Sequence, residues 1–416
     1  MIKTKNRIIQ PGFDVESCRI LSEERKNIED YSACSEIPVL WDKAKNYSVY
    51  DNLGNKWIDL TSGIFVANAG HSNPKIKKAI RECLKKDLLY SFCYNNEIRV
   101  KFIKKLLSIS PSCFNKAIIS NSGSEATDTA YKLIKVWGRQ FSPHKNRIIS
   151  FKGAYHGRCL SSCFLSRSKE YSEWAGFEND VTFLDFPERD EDFPRESIGE
   201  NVAAFVIETY QGWSASFLPI QYMKQLYEYA KEKDVLIVFD EIQSGFYRTG
   251  KLYGYMNYGE YLEPDIITLG KGISSSLPMS AVLSRKEIVD MDKGMDYSGT
   301  HPGDPICCYA ALANLEFLHE SVFQRKLKNK IKVFSKIKEI EKYNCVQKVN
   351  VFGMVAGIIF SSKEIADRVV YGCINNGVFP VYTYKNSIKL GPPLTISNSA
   401  IKEAFGVLET EIKKHE

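Results

Sequence analysis

From residue 116 onward, short apolar runs bounded by turn residues alternate with longer segments of helical period. That alternation confines the chain to an α/β fold with a mostly parallel central sheet wrapped by helices. Strands are expected at 116–120, 147–151, 203–208, 235–240, 265–269 and 280–284, with helices at 124–136 and 221–233 between them. They belong to a large domain over residues 71–305. Helical stretches at 305–327 and 328–342, a strand at 351–360 and a helix from Ser397 form a smaller α/β domain over 306–416. Residues 1–70, with two short strands around the turn at 51–55, are assigned to that smaller domain as well.

A chain of 416 residues exceeds what one small core needs, which agrees with a large domain and a companion. Its 56 basic and 50 acidic side chains leave a net charge of only +6, with the lysines dispersed, so nothing marks a nucleic-acid surface. The 11 cysteines show neither a C-x-x-C repeat nor a Cys/His ligand spacing. Reduced thiols and no metal site are expected. MIKTKNRIIQPGFD lacks an apolar stretch, and no later run approaches the roughly 18 residues of a membrane span. The protein is therefore expected to be cytoplasmic.

Three strand ends carry chemistry. VLIVF ends in Asp240-Glu241-Ile242-Gln243, so Asp240 emerges at the carboxyl edge where open α/β sheets bind ligands. A carboxylate there calls for a cationic partner; a helix cap or an arginine salt bridge would serve as well as a ligand. DIITL leads into Gly270-Lys271-Gly272. A lysine desolvated at such an edge loses part of its preference for charge, as an imine-forming amine must, although exposed turn lysines share the same pattern. Asn121-Ser122-Gly123-Ser124-Glu125 lies between AIIS and a helix, where first-turn amides and the Ser124 hydroxyl suit a phosphate. Ser followed by an acid is also ordinary helix-capping chemistry.

A phosphate cradle, a strand-end acid and a strand-end lysine are together the parts that pyridoxal phosphate requires. From about residue 47 to the C-terminus the chain resembles the class III aminotransferases of the fold type I pyridoxal-phosphate enzymes. The resemblance rests on SGIFVANAGH at 62–71, NSGSEAT at 121–127, YHGR at 155–158, DEIQSGFYRTGKL at 240–252, PDIITLGKGI at 264–273, GTHPGDP at 299–305 and GPPLTIS at 391–397.

By that resemblance Lys271 forms an imine with the cofactor and later carries the substrate proton, while Asp240 keeps the pyridine nitrogen protonated. Tyr155 stacks on one face of the ring, Ile242 packs on the other, and Gln243 reaches the ring hydroxyl. Ser122, Gly123 and Ser124 match the phosphate cradle. Thr300 matches a residue that reaches the phosphate of the neighbouring subunit's cofactor, which implies a homodimer with shared active sites. Glu208 corresponds to a family acid near the cofactor, or closes a strand-end salt bridge. His156 sits among the cofactor-binding residues, or packs beneath them.

The implied reaction moves an amino group from a donor such as glutamate to a carbonyl acceptor. Epimerases or racemases, aminomutases and decarboxylases on the same scaffold remain the alternatives. Two positions depart from the glutamate-using pattern: an acid is replaced by Trp213, and an arginine before the PPL motif by Lys389. Lysine keeps the positive charge but loses the bidentate fork, while tryptophan offers a flat wall. A bulky or sugar-like substrate is one reading; the other is that Lys389 does the arginine's work and Trp213 lines the entrance. Ile64, Phe65 and Tyr94 resemble substrate-lining positions.

Overall fold

The computed structural model describes residues 1–29, 37–167, 169–176, 179–187, 191–212 and 216–416. It divides into two compact units, one of residues Met1–Asn73 and Ser321–Glu416, the other of Pro74–Glu320.

The larger unit is built on seven strands: β1 (Lys116–Ser120), β2 (Arg147–Phe151), β3 (Val181–Leu184), β4 (Val202–Glu208), β5 (Leu236–Asp240), β6 (Ile266–Leu269) and β7 (Ser280–Ser284). Their order is β1-β7-β6-β5-β4-β2-β3. Only β7 runs against its neighbours, and the other pairings are parallel. β4 and β5 are buried along their whole length, as their unbroken apolar runs require of a sheet covered on both faces. In register, Asp240 of β5 pairs with Glu208 of β4 and Thr268 of β6.

Five helices of this unit matter below: α1 (Pro74–Leu84), α2 (Glu97–Ile109), α3 (Gly123–Phe141), α4 (Ile220–Glu232) and α5 (Pro305–His319). On α3, Ala126, Ala130, Leu133 and Ile134 recur at helical spacing and pack on Ile148, Val206, Val238 and Ile266 of the sheet. Each of the larger side chains stabilises the fold by roughly 1.5–3 kcal/mol on burial. The start of α3 is fixed by a capping box between Ser122 and Glu125. α5 packs against α1 and α2.

In the smaller unit, Lys56–Asp59 pairs with Ser48–Tyr50 on one side and, in parallel, with Val378–Phe379. A second, antiparallel sheet runs Val346–Phe352, Val355–Phe360, Ser387–Leu390, Val381–Tyr382. The strand expected at 351–360 is thus two strands of a hairpin that turns at Gly353-Met354. The helix expected at 305–327 breaks after His319, where Glu320 is extended, and a new helix begins at Ser321. Among the described residues no helix is long and apolar enough to cross a membrane.

Candidate active site

The carboxyl ends of β4, β5 and β6 bring Glu208, Asp240 and Lys271 together. Asp240 is buried, its Oδ2 2.8 Å from His156 Nδ1, and its Oδ1 accepts the Ile242 amide at 2.9 Å. Burial alone would push His156 down, but its hydrogen bond to Asp240 and the charges of Asp240 and Glu208 outweigh that and hold it above its ordinary value. His156 is therefore biased towards its protonated form beside Asp240. Lys271 is driven the other way: burial lowers it, against the opposing pull of Asp240 and Glu208. Its backbone stands at φ +43°, a left-handed conformation uncommon for a side-chain-bearing residue.

Glu208 anchors two loops, accepting the Tyr155 amide at 2.9 Å and the Gly212 amide at 3.1 Å. Burial raises it to about 7, with His156 opposing and Asp240 adding to the shift. The folded protein therefore holds a proton that the unfolded chain releases between the ordinary 4.5 and about 7. Folding gains this contribution below that window and loses it as pH rises through it. In the cofactor-free protein, Glu208→Gln is expected to flatten this part of the curve of melting temperature against pH; an unchanged slope would assign the proton to another group.

The Ser122 hydroxyl accepts the Glu125 amide at 3.3 Å, so it serves the cap of α3. Ser124 Oγ accepts the Arg158 amide at 3.1 Å. A Cβ on Gly123 would stand 2.8 Å from Ile242 Cδ1, so a side chain there would displace Ile242 from the start of α3. Gln243 Oε1 and His156 Nε2 are buried without a hydrogen-bond partner among the described residues. Tyr155 is half-buried, Thr300 is exposed and Tyr94 is 75% exposed. Trp213 lies outside the described residues.

Ile64, Phe65 and Lys389 belong to the smaller unit. Ser62–Phe65 forms a left-handed helical turn, with φ of +52°, +61°, +60° and +67° in succession. Each non-glycine residue there costs roughly 1–2 kcal/mol. Buried Asp59 offsets the cost by accepting the Thr61 amide and hydroxyl, both at 2.7 Å, and the Ser62 amide at 3.1 Å, with His71 Nε2 at 2.6 Å. The Ser62 hydroxyl donates to the Gly391 carbonyl at 2.6 Å. Phe65 is thereby buried, with Nζ of the largely buried Lys389 5.3 Å from its ring centroid. A Cβ on Gly391 would come within 1.9 Å of Phe65 Cε1, so glycine is required beside the ring. The β-branched Ile64 is left 48% exposed.

A family model described as aminotransferase class-III matches residues 31–412. The chain belongs to the class III aminotransferases. It is 30% identical to the acetylornithine aminotransferase of Methanocaldococcus jannaschii, over 94% of this chain and 98% of that one. With the ornithine aminotransferase of Oceanobacillus iheyensis it shares 28% identity, over 90% and 93%. The solved ornithine aminotransferase of Toxoplasma gondii has the same fold, with a TM-score of 0.86 at 22% identity over 97% and 96% of the two chains. A PMP-bound aminotransferase from Vibrio fluvialis gives 0.85 at 19% identity over 94% and 97%. This class III aminotransferase transfers amino groups, and its cofactor is pyridoxal 5'-phosphate.

The site fits that cofactor. The first-turn amides of Gly123 and Ser124 suit a phosphate, and Gln243 Oε1 is a buried acceptor without a partner among the described residues. The hydrogen bond from His156 fixes the buried Asp240 carboxyl in place, as a partner for a ring nitrogen must be fixed. Sequence reasoning left His156 a packing alternative; its hydrogen bond to Asp240 makes it a support for that carboxyl group.

Proposed function

We propose that Lys271 would hold pyridoxal 5'-phosphate at its aldehyde and move the substrate proton at Nζ, with Asp240 facing the pyridine nitrogen. The observation that carries this reading is the convergence of Lys271, Asp240, His156 and Glu208 in one buried cluster at the sheet's carboxyl edge. When bound, pyridoxal 5'-phosphate supplies a ring that takes up the electron pair left by a broken substrate C–H bond. Lys271, with its preference for charge weakened by burial, accepts the proton at Nζ and returns it. His156 keeps Asp240 oriented. Gln243, Tyr155 and Ile242 would hold the ring, and Gly123 and Ser124 the phosphate, leaving Ser122 to cap α3. Glu208 acts by fixing the loop that carries Tyr155.

For the substrate, the largely buried Lys389 beside Phe65 supports a donor carrying a carboxylate. The ornithine and acetylornithine names of the relatives favour an extended amine over short ω-amino acids. A panel of glutamate, ornithine, acylated ornithines, short ω-amino acids and bulky or sugar amines tests this. Extended amines should lead; full activity on short ω-amino acids and none on extended amines would refute it. Lys389→Ala should raise KM for carboxylate donors about 10-fold to 100-fold, the loss of one charge-assisted hydrogen bond.

The enzyme works as a cytoplasmic homodimer, in which Thr300 serves the neighbouring site. The exposed Leu88, Leu89, Tyr90 and Phe92 support a covered face on the larger unit, and Thr300 is itself exposed. A holoenzyme monomeric in light scattering would overturn the shared site.

A further inference from the structure

Lys271 sits in a conformation that its own residue type does not favour, at φ +43° and at the start of a short 3-10 turn, Lys271–Ile273. Such a backbone persists only where its surroundings over-determine it. Within the turn, the Ile273 amide donates to the Gly270 carbonyl at 3.0 Å. The two carbonyls that follow Lys271 are held from outside the turn: Asn314 Nδ2 donates to Gly272 O at 2.8 Å and to Ile273 O at 2.9 Å.

Asn314 stands on α5 and is 0% exposed. Both hydrogens of its amide are used on consecutive carbonyls, so neither the side-chain flip nor the turn is free to change without losing a bond. Its Oδ1 is buried and without a partner among the described residues. A polar group kept in an apolar helix face with one atom unsatisfied costs stability that a leucine there would not cost. Its compensation is the fixed turn behind the reactive lysine.

We infer that Asn314 is a positioning residue that clamps the backbone after Lys271 and thereby aims the amine for bonding to the cofactor aldehyde. The inference rests on the assignment of Lys271 as the cofactor-bonding lysine. Losing the clamp lets the left-handed Lys271 relax, moving Nζ while leaving the phosphate cradle on α3 and the Asp240–His156 pair untouched. Bond formation at Lys271 and noncovalent binding should therefore separate.

The test compares the holoenzyme with Asn314→Asp, which keeps the shape but loses both donors, and with the smaller Asn314→Ser. Four quantities are read on each: the rate at which pyridoxal 5'-phosphate becomes borohydride-trappable on Lys271, the pH midpoint of the bound cofactor's absorbance, the melting temperature, and the affinity for pyridoxamine 5'-phosphate, which binds without that bond. In the variants trapping should slow on the order of tenfold or more, as a misplaced reacting atom dictates, and the pH midpoint of the bound cofactor's absorbance should move. Pyridoxamine 5'-phosphate affinity should stay within about threefold, because its contacts lie elsewhere. Unchanged trapping and midpoint in both variants would overturn the clamp. So would parallel losses of trapping, pyridoxamine 5'-phosphate affinity and melting temperature, which describe a residue of purely structural importance. Trapping of the parent enzyme on a different lysine would instead refute the assignment of Lys271, and the clamp with it.

Discussion

Lys271→Ala should lower the transamination turnover by at least about 10³-fold while the protein keeps its affinity for pyridoxamine 5'-phosphate within about an order of magnitude. The two effects separate because different parts of the site produce them. Alanine removes the amine that would bond the cofactor, a group whose hold on a proton is weakened by burial. The first-turn amides of α3, the Ile242 contact over Gly123 and the Asp240–His156 pair stay in place, and they suffice for a ligand that needs no covalent bond. The measurement is single-turnover absorbance together with the mass of borohydride-treated protein. The parent should gain the cofactor's mass on the peptide that holds Lys271, and the variant should gain none. A variant turning over near the parental rate, or a parent trapped at another lysine, would remove Lys271 from the chemistry.

The parts of this site that lie at strand ends were legible in the sequence, because an apolar run that stops at Asp240 or at Gly270-Lys271 declares both its strand and its edge. The pairing of Glu208 with Asp240 was not, since register between β4 and β5 depends on sheet contacts that no single run encodes. Nor was the bond from His156 to Asp240, which spans 84 residues of chain and reads locally as one more buried histidine. The break between α5 and the helix from Ser321 escaped because no glycine or proline marks it and the apolar spacing continues across it. The left-handed turn at Ser62–Phe65 carries a composition that suits an ordinary turn or helix. What imposes its hand is Asp59 below it and the crowding of Phe65 against Gly391, both tertiary effects. Asn314 shows the same limit: on α5 it is one polar residue in an apolar helix, and only the carbonyls of Gly272 and Ile273 give it a task.

Asp240→Asn is the second large effect expected, a loss of about 10²-fold to 10³-fold in kcat, the range found when one preorganised electrostatic contact is removed from a reacting centre. The substitution is nearly isosteric, so the Ile242 amide can still be accepted at the oxygen and β5 is not disturbed. What disappears is the charge. His156 is raised only because Asp240 and Glu208 outweigh the penalty of its burial; with a neutral amide beside it, burial prevails and the imidazole becomes neutral. The site then loses its carboxylate and the bias of His156 towards protonation together, and nothing remains to favour a proton on a ring nitrogen. His156→Asn separates the two contributions, since it keeps the carboxylate and removes only the group that orients it; a loss of about tenfold is expected there, in line with other outer-shell partners. The pair of variants also predicts opposite behaviour towards acid. Lower pH should recover part of the Asp240→Asn activity by protonating the ring nitrogen from solvent, and should give the His156→Asn enzyme no such recovery. If Asp240→Asn retained parental kcat across the pH range, with the His156 imidazole still protonated by nuclear magnetic resonance, the electrostatic role of this carboxylate would be wrong.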